Sequence, residues 1–344
     1  MHDNYSGLEK FLHRMALGTM AVRELTFDIE KGRFRKKAGP APTRNIFVCG
    51  LARAGTTALL NGLYASNSFA ALTYSDMPFV LAPNGWLGLS GRFGKAMERQ
   101  ERAHGDGIMV GTDSPESLDE IFWAMFDQDR FSGQGTVQPY TPSDEALAAY
   151  PDFMALVCLR YGRDRYLCKN NNNIFRLQAL APALPDSRFL VPVRDPAGHV
   201  ASLMQQHARF ADSTPFQRQY MRWLGHFEFG ATHLPHRFPD MPDGPDDPAA
   251  PGYWLRIWIG AHRHLLSQAT RFGNVLPVSY ADMSVERPAF VSQVGAACDV
   301  ALDPAAFRPR VRAVDLDLPT DLQTMAEEVH GQLVDLSRTR FGTG

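Results

Sequence analysis

Residues 45–60 read Asn-Ile-Phe-Val-Cys-Gly-Leu-Ala-Arg-Ala-Gly-Thr-Thr-Ala-Leu-Leu. An apolar run, Ile46 to Val48, ends at Gly50, and a helix-prone run begins at Thr56. Between them lies a glycine-bracketed loop, Gly50-Leu51-Ala52-Arg53-Ala54-Gly55. A buried strand that turns through glycines into a helix N-terminus predicts an anion cradle, because backbone N–H groups converge there and the helix dipole favours negative charge. Gly50 and Gly55 keep the spacing of a P-loop, yet Thr56 stands where a nucleotide kinase or hydrolase needs Lys. The cation sits inside the loop instead, at Arg53, which suits a less charged phospho-sulfate group.

A second strand-to-helix junction lies about 140 residues further on, at Ser187-Arg188-Phe189-Leu190-Val191-Pro192-Val193-Arg194-Asp195-Pro196. Asp195 is a good N-cap and Pro196 a good first helical residue, so a helix is expected from Pro196. Ser202 falls eight residues after Arg194, on the second turn of that helix. Arg194 through its planar fork and Ser202 through its hydroxyl are able to converge on one phosphate.

In these two stretches the chain resembles the sulfotransferases that use 3′-phosphoadenosine 5′-phosphosulfate (PAPS). Their first signature reads Pro-(Lys/Arg)-Ser-Gly-Thr-Thr, matched here by Ala52-Arg53-Ala54-Gly55-Thr56-Thr57 with Pro and Ser both replaced by Ala. Their second signature, Arg-(Asp/Asn)-Pro with a Ser six residues after the Pro, is matched by Arg194, Asp195, Pro196 and Ser202. The resemblance spans about residues 44 to 300. It implies an α/β, P-loop NTPase-like sulfotransferase fold, a central parallel sheet flanked by helices, and PAPS as sulfuryl donor with no metal required. It also implies cofactor contacts from Arg53, Ala54, Gly55, Thr56, Thr57, Arg194 and Ser202. Lys169, which ends the run Tyr166-Leu167-Cys168 before four consecutive asparagines, resembles a family Lys that contacts the transferred group. Tyr280 in Val278-Ser279-Tyr280-Ala281-Asp282-Met283 resembles an adenine-contacting Tyr, although Ala281 stands where the family has Glu. Family members draw their general base from a Glu or His, often just after the second strand. Asp76, after Phe69 to Thr73, occupies that place, with His104, Glu116 and Glu120 as rivals. Ser114 and Pro115 predict a helix start that by itself accounts for Glu116 as a first-turn acid.

Composition sets the outer limits. The chain has 344 residues, 44% of them apolar, enough for one large α/β core with appendages. A net charge of −2 provides no field to recruit nucleic acid. Cys49, Cys158, Cys168 and Cys298 lie in or beside apolar runs with no metal-ligand spacing, which predicts buried thiols in a cytoplasmic protein. Leu8 to Phe27 is interrupted by charges, so neither a signal peptide nor a transmembrane helix is expected.

The organisation expected is a helical N-terminal arm and basic linker over residues 1–40, an α/β domain over 41–310, and a C-terminal helix and tail over 311–344. Strands are predicted at 45–49, 69–74, 166–168, 188–193 and 275–280. Helices are predicted at 56–66, 116–126, 143–160, 174–183, 196–209 and 253–271. Residues 77–165 form a largely helical acceptor-side insertion. Residues 233–252, rich in Pro, Asp and Gly, read as a surface loop able to cover the acceptor site. The basic run Lys31 to Lys37 keeps peripheral membrane contact through the arm in view, and packing on the core or on a second copy are the other options. The acceptor is a hydroxyl-bearing molecule, with carbohydrate the first expectation because Phe79, Trp86, Phe93 and Trp123 lie in the insertion. The alternatives are a P-loop-type kinase or hydrolase, and a non-catalytic PAPS- or nucleotide-binding protein.

Overall fold

Four short apolar runs pair in parallel to form the sheet of the computed structural model, which describes residues 6–93, 100–101, 109–110, 114–309, 314 and 316–342. In chain order the strands are β1 (Ile46–Val48), an antiparallel pair β2 (Gln100–Glu101) and β3 (Met109–Val110), then β4 (Leu167–Lys169), β5 (Arg188–Val193) and β6 (Val275–Ser279). The parallel sheet has spatial order β4-β1-β5-β6. Every residue of β1, β4 and β6 is buried, as expected for a sheet covered on both faces. Neighbouring side chains therefore enter different cores. Phe47 stacks on Phe189 at 4.9 Å in one, while Ile46 and Val48 join Leu190 and Val278 in the other.

Helices flank this sheet: α1 (Gly7–Leu17), α2 (Met20–Ala38), α3 (Thr56–Tyr64), α4 (Pro83–Phe93), α5 (Glu120–Ser132) and α6 (Asp144–Tyr161) precede β4. They are followed by α7 (Leu177–Ala183), α8 (Pro196–Phe210), α9 (Pro215–Trp223), α10 (Pro251–Arg271), α11 (Pro288–Ala297) and α12 (Thr320–Arg340). The chain leaves β1 to build β4 on one side and β5 on the other. The crevice at the carboxyl end of β1 is thus the place where such sheets bind ligands.

Four expectations change. Residues 69–74 make one parallel bridge, Ala70 to Tyr166, and peel away at Thr73, whose hydroxyl caps the 3₁₀ turn Tyr74–Asp76. Residues 31–37 are the last turns of α2. Their long charged side chains are good helix formers, and those of Arg35, Lys36 and Lys37 complement the C-terminal end of the dipole. The helix predicted from Pro115 starts at Glu120, because Glu116 N–H donates to Leu72 C=O at 3.0 Å and holds that stretch extended. The 233–252 stretch lies along α10, and none of its residues lines the cavity beside the β1 loop. Trp254 Nε1 donates to Pro248 C=O at 2.9 Å, and Met241 and Phe238 crowd Gly260.

A buried ion pair ties α5 to the end of β4. Arg176 and Glu120 are 0% and 1% exposed and hydrogen bond through Nη2 and Oε1. The Arg176 guanidinium also donates to Tyr140 Oη and to Asn173 Oδ1, each at 2.7 Å, and lies 4.9 Å from the Trp123 ring centroid. Asn170, next to Lys169, donates to Glu120 Oε2 at 2.7 Å. Removing one partner strands the other charge in the core. Glu120→Ala is expected to lower unfolding stability by about 3–5 kcal/mol, read from the urea midpoint.

Candidate active site

Three left-handed residues shape the loop after β1: Gly50 (φ 124°), Arg53 (φ 70°) and Gly55 (φ 101°). Gly55 is the N-cap of α3 and no side chain caps the helix, so its first N–H groups face the crevice for an anion. A Cβ on Gly55 would meet Tyr280 Cδ2 at 2.7 Å, so the glycine is needed for space as well as for backbone angle. Arg53 adopts the left-handed region without being glycine, a strained conformation of the kind kept at binding sites.

Sequence-distant residues meet at this loop. Arg53 Nε donates to Ser202 Oγ at 3.2 Å, and Arg194 Nη1 donates to Arg53 C=O at 3.3 Å. The Arg194 guanidinium lies 5.3 Å over the Tyr280 ring. Arg53, Gly55, Arg194, Ser202 and Tyr280 thus form one corner. Behind it, Trp258 Nε1 donates to His199 Nδ1 at 3.2 Å, which leaves Nε2 to carry the proton and donate to Ala52 C=O at 2.8 Å. Burial holds His199 well below the ordinary imidazole range, so this strut is neutral. A small apolar slot of about 50 Å³ runs beside the corner, between Gly55, Pro192, Val278, Tyr280 and Phe307.

On the other side of the loop opens a cavity of about 220 Å³, reached by Arg53, Thr56, Thr57 and Lys169. Register explains Lys169: it pairs with Val48, and Asn170 N–H donates to Val48 C=O at 2.9 Å, so the end of β4 lies beside the start of the loop. Lys169 Nζ is 3.5 Å from Glu116 Oε1. Glu116 also accepts from Tyr74 Oη at 2.7 Å and from Ser117 N–H at 2.8 Å. The rest of the lining is mixed: Phe210, Tyr220, Met221, Leu224 and Phe229 form an apolar stretch, beside the polar Asn171, Gln217, His226, Glu228 and Thr232.

The other acids expected as bases lie elsewhere. Asp76 is fully buried and accepts from Thr73 N–H at 2.8 Å and from Tyr161 Oη, with Arg160 Nε 3.5 Å away. Burial raises its pKa against the pull of those donors and of Arg160, but it does not line the cavity. Glu120 is closed into the Arg176 network. His104 lies outside the described residues. The aromatic cleft expected in the insertion does not form from Trp123, which is core, while Phe79 and Trp86 pack on each other at 4.9 Å. The side chain of Phe93 is outside the described set.

Two cavity residues had no motif to announce them. His226 Nδ1 lies 3.4 Å from Glu228 Oε2, and both line the cavity with Asn171, whose Nδ2 donates to Glu228 Oε1 at 3.4 Å. The signal available was the alternation His226-Phe227-Glu228, which in an extended segment puts both polar groups on one side. Burial disfavours charge on His226, yet the Glu228 carboxylate outweighs it and lifts the imidazole above its ordinary range. Burial would raise Glu228, but the His226 charge and hydrogen bond hold it at about 2. Glu228 therefore contributes to the pair above its ordinary pKa and loses this as pH falls toward 2. His226 contributes below its unfolded pKa and loses this as pH rises through its elevated value.

A family model described as a sulfotransferase family matches residues 45–242. Among solved structures, the chain is similar to the sulfotransferase STF1 of Mycobacterium tuberculosis H37Rv, with TM-score 0.55, 15% identity and coverage of 98% of this chain and 86% of that one. It is also similar to the sulfotransferase STF9 of Mycobacterium avium, with TM-score 0.53, 14% identity and coverage of 95% and 86%. At those identities the likeness is one of fold. No curated protein matches in sequence.

The His226–Glu228 pair makes a measurable prediction. In Glu228→Gln the imidazole loses its counter-charge while burial remains, so its titration should move down, below its wild-type value. Proton–carbon NMR of the ring Cε1–H reads this directly. An unchanged midpoint would mean that Glu228 does not hold the proton on His226.

Proposed function

Because the chain belongs to the sulfotransferase family, we propose that it moves the sulfuryl group of PAPS onto an acceptor hydroxyl, with Glu116 as the general base. The observation that carries this reading is the Lys169–Glu116 pair, 3.5 Å apart, in the cavity that also holds Arg53 and Thr56. A cation and a carboxylate beside an anion-binding loop are what in-line transfer to an alcohol needs: charge stabilisation on one side and a proton acceptor on the other. PAPS, when bound, supplies an activated sulfuryl group. The uncapped α3 N-terminus fits its 5′ end, beside Gly55, whose missing side chain leaves room for the Tyr280 ring. Arg194 and Ser202 suit the 3′-phosphate, and the slot between Gly55, Tyr280 and Phe307 suits a flat base.

In this arrangement Glu116 takes the proton of the acceptor hydroxyl, with Tyr74 Oη and Ser117 N–H holding its carboxylate in place. Lys169, Arg53 and Thr56 stabilise the charge that develops at the transferred group. Asp76 is assigned a structural part, closing the turn after Thr73, in place of the base role its sequence position suggested. Family membership sets the kinase alternative aside. A protein that only binds nucleotide has no use for a Lys–Glu pair beside the loop. The apolar wall of Phe210, Met221, Leu224 and Phe229 favours an acceptor whose hydroxyl is carried on an apolar or amphipathic body.

Glu116→Gln should keep affinity for adenosine 3′,5′-bisphosphate in calorimetry while transfer from radiolabelled PAPS falls by about 10²-fold or more. Asp76→Asn should unfold earlier in urea yet turn over near the wild-type rate per folded molecule. If Asp76→Asn is dead and Glu116→Gln is active, the base assignment is overturned. Arg194→Ala should weaken bisphosphate binding by about 2–3 kcal/mol, as for loss of a charge-assisted contact, and unchanged affinity would remove it from the 3′-phosphate.

A further inference from the structure

The exposed apolar side chains of the molecule are concentrated on its first two helices. Of the eight large hydrophobics exposed among the described residues, six are on α1 and α2: Leu8 (60%), Phe11 (60%), Met15, Met20, Leu25 (59%) and Ile29. Leu8, Phe11 and Met15 fall at helical spacing on one side of α1, opposite the buried Ala16 and Leu17. Leu25 and Ile29 continue the pattern on α2, whose inner face buries Phe27 and Glu30. Glu30 accepts from Asn84 N–H and Gly85 N–H at the start of α4, and Lys31 and Arg35 pair with Asp152 of α6. The arm is therefore fastened to the body with its apolar stripe turned outward.

The stripe has a basic end. Arg33 and Lys36 follow Ile29 at helical spacing and are exposed, as are Lys37 and, on α1, Arg14. Glu9, Glu24 and Asp28 are exposed beside the stripe, but the last two turns of α2 carry only positive charge. The opposite side of α1 rests on α9: the His13 ring lies 5.4 Å from Tyr220 and 6.3 Å from Phe216. Tyr220, with Gln217 and Met221, lines the cavity that holds Glu116 and Lys169. The outward stripe and the apolar cavity wall are thus two sides of one pair of packed helices.

We propose that α1 and α2 dock the protein on an anionic membrane surface, with Leu8, Phe11, Met15, Leu25 and Ile29 in the acyl boundary and Arg33, Lys36 and Lys37 among the headgroups. An interfacial helix pair of this kind needs an apolar stripe with cations beside it. With a net charge of −2 for the whole chain, attraction must come from this local patch. A lipid surface satisfies stripe and basic end together and brings the α9 side of the cavity to the source of an amphipathic alcohol. Docking itself requires neither PAPS nor the Glu116 assignment.

The test is cosedimentation of the full chain with phosphatidylcholine vesicles, with and without phosphatidylglycerol. Binding is expected only to the anionic vesicles, weakening as salt is raised. The double variant Phe11→Asp, Leu25→Asp should bind at least about tenfold more weakly, and Lys36→Glu with Lys37→Glu should remove the salt dependence. These positions are exposed, and an unchanged thermal shift with adenosine 3′,5′-bisphosphate checks that the variants remain folded. Absence of that shift in wild type as well would count against the donor reading and leave the docking result standing. No binding of wild type to anionic vesicles at low salt overturns docking, as does equal binding by the Asp variant. Sedimentation equilibrium supplies a further outcome: if Phe11→Asp converts a dimer into a monomer, the stripe is covered by a second copy and the membrane assignment fails.

Discussion

Everything at the crevice depends on how the backbone turns between Val48 and Thr56. Three left-handed residues in six positions aim the α3 N-terminus across the carboxyl ends of the sheet, where its dipole and N–H groups address an anion. The turn is held by packing that leaves little freedom. Tyr280 fills the space a Cβ at Gly55 would need, and a neutral His199 braces the Ala52 carbonyl from beneath. Arg53 accepts an unfavourable φ within this frame, and its side chain is fixed between Ser202 and the cavity.

Three carboxylates near this loop, Asp76, Glu116 and Glu120, are chemically alike and differ by what they touch. Asp76 and Glu120 are closed in, one by Thr73, Tyr161 and Arg160, the other by Arg176 and Asn170. Asp76 Oδ1 has no hydrogen bond and is met only by the Arg160 ion pair, so enclosure more than full pairing marks it; removing either of these enclosed acids costs stability. Glu116 reaches the cavity because its backbone is paired to Leu72 in place of entering α5. The buried Arg176–Glu120 pair serves that arrangement indirectly, since through Asn170 and Asn173 it holds the chain that follows Lys169 against α5.

The far wall of the cavity comes from Phe210 at the end of α8, from α9 and from the turn after α9, segments that follow the Arg-Asp-Pro motif in the chain. His226 and Glu228 add a charged pair to that wall, one group raised and the other lowered by their mutual attraction. Because α9 also carries α1, the arm and this cavity wall form one packed unit.

Much of the fold was legible along the chain because its evidence is local. Glycine-bracketed loops, an Asp-Pro helix start and alternating apolar runs act through backbone preferences a few residues long, and they located β1, β5, α3, α8 and the residues that meet at the loop. Even Lys169 followed from a strand ending in asparagines. The placements that differed were those decided by contacts distant in sequence. Ser114 and Pro115 carry local signals for a helix, yet pairing with Leu72 and Tyr74 keeps them extended and delivers Glu116 to the cavity. Asp76 follows the second sheet segment, the place expected for a base, yet Tyr161 and Arg160, more than 80 residues on, enclose it. The 233–252 stretch has the composition of a mobile loop but is bound to α10. Local sequence determined where strands turn into helices and where the left-handed loop after β1 lies. Which acid lines the cavity, and what kind of surface surrounds it, were decided only by tertiary packing, since burial and partnership are properties of the assembled chain.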